Sequence, residues 1–133
     1  MQPLTIRNLT PEDQIPFSEF QRGDDLVGWE KFSLDPEWTW IACDGESICG
    51  LLICGYAYPF LLLLRIAATP TAPPLTTLLL LRQAMREARR RGLAGYLTFL
   101  SDSAAAEGQL MRIVSRAGGK VIPTSGVWAF GEL

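Results

Sequence analysis

Residues 60–92 read FLLLLRIAATPTAPPLTTLLLLRQAMREARRRG, and the fold turns on this stretch. Phe60–Thr69 is apolar apart from Arg65 and Thr69, the composition of a strand covered on both faces. Pro70, Pro73 and Pro74 then break the chain. Leu75–Arg91 follows with Leu78, Leu81, Met85 and Ala88 at spacings of three and four, which predicts a helix with one apolar face. Arg82, Arg86, Arg89 and Arg90 take its other side. Gly92 stops the helix, and the arginines of its last turn suit the negative end of the helix dipole.

Upstream, Ser47–Tyr58 reads as a second apolar strand, and Asp44-Gly45 is a hairpin signal joining it to a strand over Glu37–Cys43. In that strand Trp38, Trp40 and Ala42 share one face, and Thr39, Ile41 and Cys43 the other. Leu4–Asn8 is a short opening strand. Thr10-Pro11-Glu12-Asp13 has the pattern of a helix start, but Pro16 moves the main helix to Pro16–Arg22, ending at Gly23. Asp24 to Glu37 is an acidic loop carrying Trp29 and Phe32. Downstream, Tyr96–Leu100 is a strand, and Ser101-Asp102-Ser103 caps a helix with Leu110, Ile113, Val114 and Ala117 inward. Lys120–Phe130 supplies the last strand material, bent at Pro123. The order β-α-loop-β-β-β-α-β-α-β predicts one α+β domain over residues 1–133. Its mixed, mostly antiparallel sheet has six or seven strands and is flanked by helices.

Among the 133 residues there is no histidine. That excludes Ser-His and Cys-His nucleophilic pairs, imidazole bases and His-ligated metals. The net charge of −2 divides unevenly. Residues 1–64 hold ten acids against three bases, and residues 65–133 hold four acids against nine bases. Such a division suits partners of opposite sign, and a plain solvated surface accounts for it equally well. Ten of the twelve bases are arginine, which favours forked contacts to phosphate or carboxylate.

Cys43, Cys49 and Cys54 form no C-x-x-C. They read as reduced apolar fillers, so a cytoplasmic protein is expected. The uncharged run Ser47–Leu64 is punctuated by Gly50, Gly55 and Pro59, unlike a membrane span, and no membrane partner is expected. A P-loop, G-x-G-x-x-G, zinc-ligand spacing and G-x-S-x-G are all missing. No metal site is expected. With pI ≈ 5.1, nucleic acid is not an expected partner either.

The element order, the strand end Ala67-Ala68-Thr69-Pro70 and the helix end Ala88-Arg89-Arg90-Arg91-Gly92 form a recognisable series. It continues with the strand Gly95–Leu100 and the helix end Ser115-Arg116-Ala117-Gly118-Gly119. In this series the chain resembles the GCN5-related N-acetyltransferase family over nearly its whole length. The resemblance implies an acetyl-CoA or related acyl-CoA donor in a splay between the fourth and fifth strands, with its pyrophosphate on the N-terminus of the long helix. The implied donor-binding residues are Ile66, Ala67 and Ala68 at the strand end, then Leu75, Thr76, Thr77 and Leu78. Those four N–H groups and two hydroxyls would hold the anion.

The family's phosphate loop is rich in Gly and begins with Gln or Arg. Here it is Thr71-Ala72-Pro73-Pro74-Leu75-Thr76-Thr77, with two prolines and no glycine, so weak binding is expected. The family's carboxylate base is missing from Phe60–Thr69, whose one ionisable group is Arg65, and Val114 stands at the family's tyrosine acid. No catalytic residue is therefore assigned. Tyr56, Tyr58, Tyr96, Ser101, Asp102 and Ser103 are the nearby polar groups.

The acidic segment Asp24–Trp40 would build the acceptor side, with Trp29, Glu30 and Trp40 as contacts to a small-molecule amine or peptide. Packing of Trp38 and Trp40 into the core is the competing reading. Two functions follow: an N-acyltransferase, or a catalytically inactive module of the same fold that binds a ligand or a protein. A homodimer is the expected assembly.

Overall fold

The structure is a computed structural model that describes residues 4–20 and 33–98. The expected helix over Ser103–Ala117 and the strand material of Lys120–Phe130 lie outside these residues. So do Trp29 and Glu30.

Strands β1 (Leu4–Asn8), β2 (Thr39–Asp44), β3 (Ser47–Ala57) and β4 (Phe60–Ala68) pair successively antiparallel. Helix α1 (Thr76–Arg90) then returns the chain to β5 (Gly95–Thr98), which pairs parallel with β4. The described strands form one five-stranded sheet in sequence order. The fold is α+β, with a mixed, mostly antiparallel sheet.

Alternation of side chains along the strands divides the core in two. Trp40, Ala42, Leu52, Cys54, Leu61 and Leu63 face α1, which answers with Leu80, Leu81, Ala84 and Ala88. Ile41, Cys43, Leu51, Ile53 and Ala67 face the other way and are covered by Leu9, Ile15, Phe17, Phe20 and Leu34. The face expected for Trp40 is the one observed. Burial of Leu80 and Ala84 extends the apolar stripe read from the spacing.

Two local expectations change. Within the described residues, the segment expected to open a helix at Pro16 is a single 3-10 turn, Phe17–Phe20. Pro16 has no N–H to donate. Thr10 caps no helix: its N–H and hydroxyl both donate to Asp13 Oδ2, at 2.7 and 2.9 Å. The β2–β3 hairpin turns one residue later than read, on Gly45 and Glu46, with Asp44 and Ser47 paired across it. Gly45 takes φ +66°, the conformation that the first central residue of a type II′ turn requires.

The helix ends as the sequence predicts. Gly92 has φ +78°, Leu93 N–H donates to Ala88 O and Gly92 N–H to Arg89 O, both at 3.0 Å. These two bonds form a Schellman cap. At the other end α1 lies hard against the sheet. A Cβ on Gly50 would stand 2.6 Å from Thr76 Cγ2 and 2.9 Å from both Ala42 Cβ and Leu80 Cδ1. Gly50 pairs with Ala42 on one side and Ala68 on the other, so a row of minimal side chains forms the seat of the helix.

Candidate functional site

The site is built where β4 hands over to α1. In the β3–β4 ladder Ile53 pairs with Arg65 and Cys54 with Leu63, leaving Leu64 as an extra residue on β4. A bulge of this kind bends a strand and locally breaks its ladder. The β4–β5 ladder runs from Phe60/Gly95 to Leu63/Thr98, where the described part of β5 ends, so the bulge sits just past the last described pair.

Beyond β4 the chain descends through two turns. Thr69 N–H donates to Cys49 O, Ala72 N–H to Thr69 O, and Thr76 N–H to Pro73 O. The Thr76 hydroxyl also donates to Pro73 O, at 2.7 Å, and Thr76 is buried. Both donors of Thr76 are thus turned inward, a local capping arrangement that sequence spacing did not reveal. Among the described residues no hydrogen bond engages the N–H groups of Leu75, Thr77 or Leu78. Three backbone donors at a helix N-terminus are what remains for an anion. The Leu75 and Thr77 side chains reach the surface, whereas Leu78 packs beneath the helix. Ile66 packs against the α1-side core and Ala67 into the opposite core, so their side chains are occupied in packing.

The expected acceptor contacts separate. Trp40 is 1% exposed beneath α1 and can touch no acceptor, a correction that follows from its inward position on β2. Trp38 is half-buried and packs against the α1-side core, as the competing reading of this pair expects. Its ring stacks on Tyr56 with centroids 5.7 Å apart, meets Trp40 edge-on, and lies 4.5 Å below the Arg91 guanidinium. Tyr56 and Tyr58 are exposed beside it at the β3–β4 turn. Arg91 is held by Glu87 and Glu37, and Arg90 by Glu87. Hydrogen bonds from Arg90 and Arg91 pull the Glu87 pKa down to about 2. This cluster stands at the C-terminal end of α1, remote from the loop that starts the helix.

Tyr96, on β5 opposite Leu61, has a buried hydroxyl with no hydrogen-bond partner among the described residues, and burial raises its pKa. The Thr39 hydroxyl is likewise buried and without a partner among the described residues. All three cysteines are buried, and desolvation raises each thiol pKa, so none is primed as a nucleophile. The described residues hold no cluster of metal-ligating side chains and no helix long and apolar enough to cross a membrane. A shallow depression lies instead beside β1, lined by Arg7, Asp13, Glu19 and Glu46 among others.

No protein-family model and no curated protein matches the sequence. Solved structures match its fold. A transcriptional regulator from Bacillus halodurans C-125 superposes with a TM-score of 0.69 at 17% identity, over 96% of this chain and 100% of that one. The ribosomal-protein-S18-alanine N-acetyltransferase of Escherichia coli gives 0.64 at 17% identity, over 87% and 77%. A GNAT-family acetyltransferase from Elizabethkingia anophelis, with acetyl-CoA bound, gives 0.63 at 14% identity, over 82% and 72%. The chain has the fold of the GCN5-related N-acetyltransferases.

Proposed function

We propose that this chain is an acyl-CoA-dependent N-acyltransferase acting on an amine. The observation that carries the reading is the continuity of three features along one stretch of chain, from β4 into α1. The bulge at Leu64 lies just past the last described β4–β5 pair, β4 then turns through the 69–76 loop, and α1 opens with unengaged N–H groups. The N–H groups of Leu75, Thr77 and Leu78 would hold the donor's pyrophosphate, and the edge of β4 past Leu64 would receive its pantetheine arm. When bound, the donor supplies an activated acyl group: the acceptor nitrogen bonds the acyl carbon, the C–S bond breaks, the amine proton leaves to water, and the thiolate takes one up.

The chain's own part in this is positioning. Holding two reactants in register is itself a large share of catalysis. Among the described residues β4 carries no carboxylate, and the whole chain carries no histidine. Pro73 contributes a carbonyl that caps Thr76, and neither Pro73 nor Pro74 has the N–H that a glycine loop would donate. The expected donor affinity is therefore low. The acetyl-CoA-bound neighbour from Elizabethkingia anophelis supports the reading by analogy of fold.

A second reading, an inactive binding module, draws on the same proline loop and on the Bacillus halodurans neighbour named a transcriptional regulator. Titrating acetyl-CoA by calorimetry separates the two. Binding in the micromolar range or weaker, followed by amine-dependent thiol release, supports the transferase. Binding without release supports the module. No binding overturns the donor site.

A further inference from the structure

The outer face of α1 and the aromatic cluster at its C-terminal end have no part in the donor site. Arg82, Arg86 and Arg89 follow one another at spacings of four and three, so they project side by side from the helix. All three are exposed, and none makes a hydrogen bond or ion pair among the described residues. Glu87, the one carboxylate of α1, is taken up by Arg90 and Arg91. The stripe is therefore an uncompensated run of positive charge. Acids that lower the pI stand elsewhere. Glu12, Asp13, Glu19 and Glu46 line the depression with Ile48, which packs on the sheet face that α1 does not cover. Charge acts over about 8 Å at physiological salt, so a whole-chain pI does not describe the α1 face.

At the end of the stripe the Arg91 guanidinium lies over Trp38. Trp38, Tyr56 and Tyr58 then form a chain of rings with centroids 5.7 and 6.4 Å apart. Tyr56 is 51% exposed and Tyr58 76%, so both rings are open to solvent. Sequence reading saw the arginines alone, because the rings come together only when the residue before β2 meets the β3–β4 turn. A basic track leading to open rings suits single-stranded nucleic acid, whose phosphates meet the cations while its bases stack on the rings. An acidic peptide would use the arginines and leave the rings empty, and a duplex keeps its bases stacked on one another. Glu37 is exposed beside Trp38 and gives one carboxylate oxygen to Arg91, while its other oxygen has no partner among the described residues. A carboxylate repels phosphate but accepts a hydrogen bond from a ribose 2′-hydroxyl, which DNA lacks. We propose that this surface binds single-stranded RNA, with α1 tracking the phosphates and the Trp38–Tyr56–Tyr58 rings stacking the bases. The binding does not depend on acyl transfer.

Fluorescence anisotropy of the full chain with a labelled oligouridylate of about twelve nucleotides tests this. The expected Kd is about 10–100 μM at low salt, and log K should fall against log salt with a slope of about −2, the value for three phosphates neutralised on a single strand. Replacing Arg82, Arg86 and Arg89 together by Gln should weaken binding by about tenfold or more and flatten that slope. Tyr58→Ala should weaken it about tenfold with the slope unchanged, and Tyr58→Phe should retain it. Matched oligodeoxyuridylate should bind about threefold more weakly than the RNA, a difference that Glu37→Ala removes. Thermal melts check that each variant is folded. Absence of RNA binding, or binding indifferent to Tyr58→Ala, overturns the proposal. Equal affinity for the DNA strand overturns the choice of RNA. Equal affinity for polyglutamate, for a duplex of the same length or for phosphatidylserine vesicles overturns the role of the rings.

Discussion

At the scale of single residues, the polar groups that sequence reading placed at the donor site divide by where their hydrogens point. Thr76 is a structural residue: its hydroxyl ties Pro73 O to the first turn of α1 and its methyl fills the space that Gly50 leaves. Thr76→Val should cost about 1 kcal/mol of stability, the worth of one hydrogen bond, read from urea denaturation. It should shift acetyl-CoA affinity by less than about threefold, well under the tenfold that 1.4 kcal/mol represents. A tenfold loss of affinity with stability unchanged would return Thr76 to the binding site. Glu87 gives a pH prediction. Its folded pKa, near 2, is depressed below the ordinary carboxylate range by Arg90 and Arg91. The stability it contributes is therefore present above about pH 4.5 and lost as pH falls toward 2. Exposure of Arg90 screens the effect. Glu87→Gln should accordingly lower the melting temperature at pH 7 and lower it much less at pH 2.5, where most of the contribution is lost. Equal shifts at both pH values would show that the pair contributes through packing.

At the scale of elements, the contact between α1 and the sheet is the joint on which the site depends. Gly50→Ala would press a methyl into Thr76, Ala42 and Leu80 at 2.6–2.9 Å, closer than carbon atoms tolerate. Backbone or side chains must shift, at a cost of about 1–3 kcal/mol. The shift falls on the first turn of α1, so acetyl-CoA affinity should drop at least tenfold while β2–β4 stay folded. Hydrogen exchange would locate the loosening in residues 76–80. Affinity unaffected by a displaced first turn would separate the donor site from the helix N-terminus. Gly92→Ala probes the other end of the same helix. There φ is +78° with no atom within 4 Å, so the cost, about 1 kcal/mol, is conformational alone and the site should be untouched.

At the scale of the whole molecule, what the sequence made legible was whatever repeats: alternation along β2–β4, the three-and-four spacing of α1, and the Gly92 stop. Four leucines in a row, Leu61–Leu64, give no sign that Leu64 is the extra residue, because a bulge is set by pairing across strands and not by residue type. Trp38 illustrates the same limit. Its alternation with Trp40 gave the correct face, but its stack with Tyr56 and Arg91 joins residues far apart in sequence. The proton inventory, by contrast, could be read at once and has a kinetic consequence. The chain has no histidine, and β4 has no carboxylate. The Tyr96 hydroxyl is buried, has no partner among the described residues and is raised in pKa, so it holds its proton through the neutral range. Strand β4 therefore offers no histidine or carboxylate to accept the amine's proton near neutrality. The rate of acetyl transfer should then rise tenfold per pH unit up to the acceptor amine's own pKa, and the curve should move with the amine when acceptors of different basicity are compared. Tyr96→Phe should leave both the slope and the rate within about tenfold, the low end of what a general acid contributes. A plateau between pH 6 and pH 8 that stays fixed across acceptors would reveal a base supplied by the protein. A loss of a hundredfold or more in Tyr96→Phe would make that buried hydroxyl the acid for the departing thiolate.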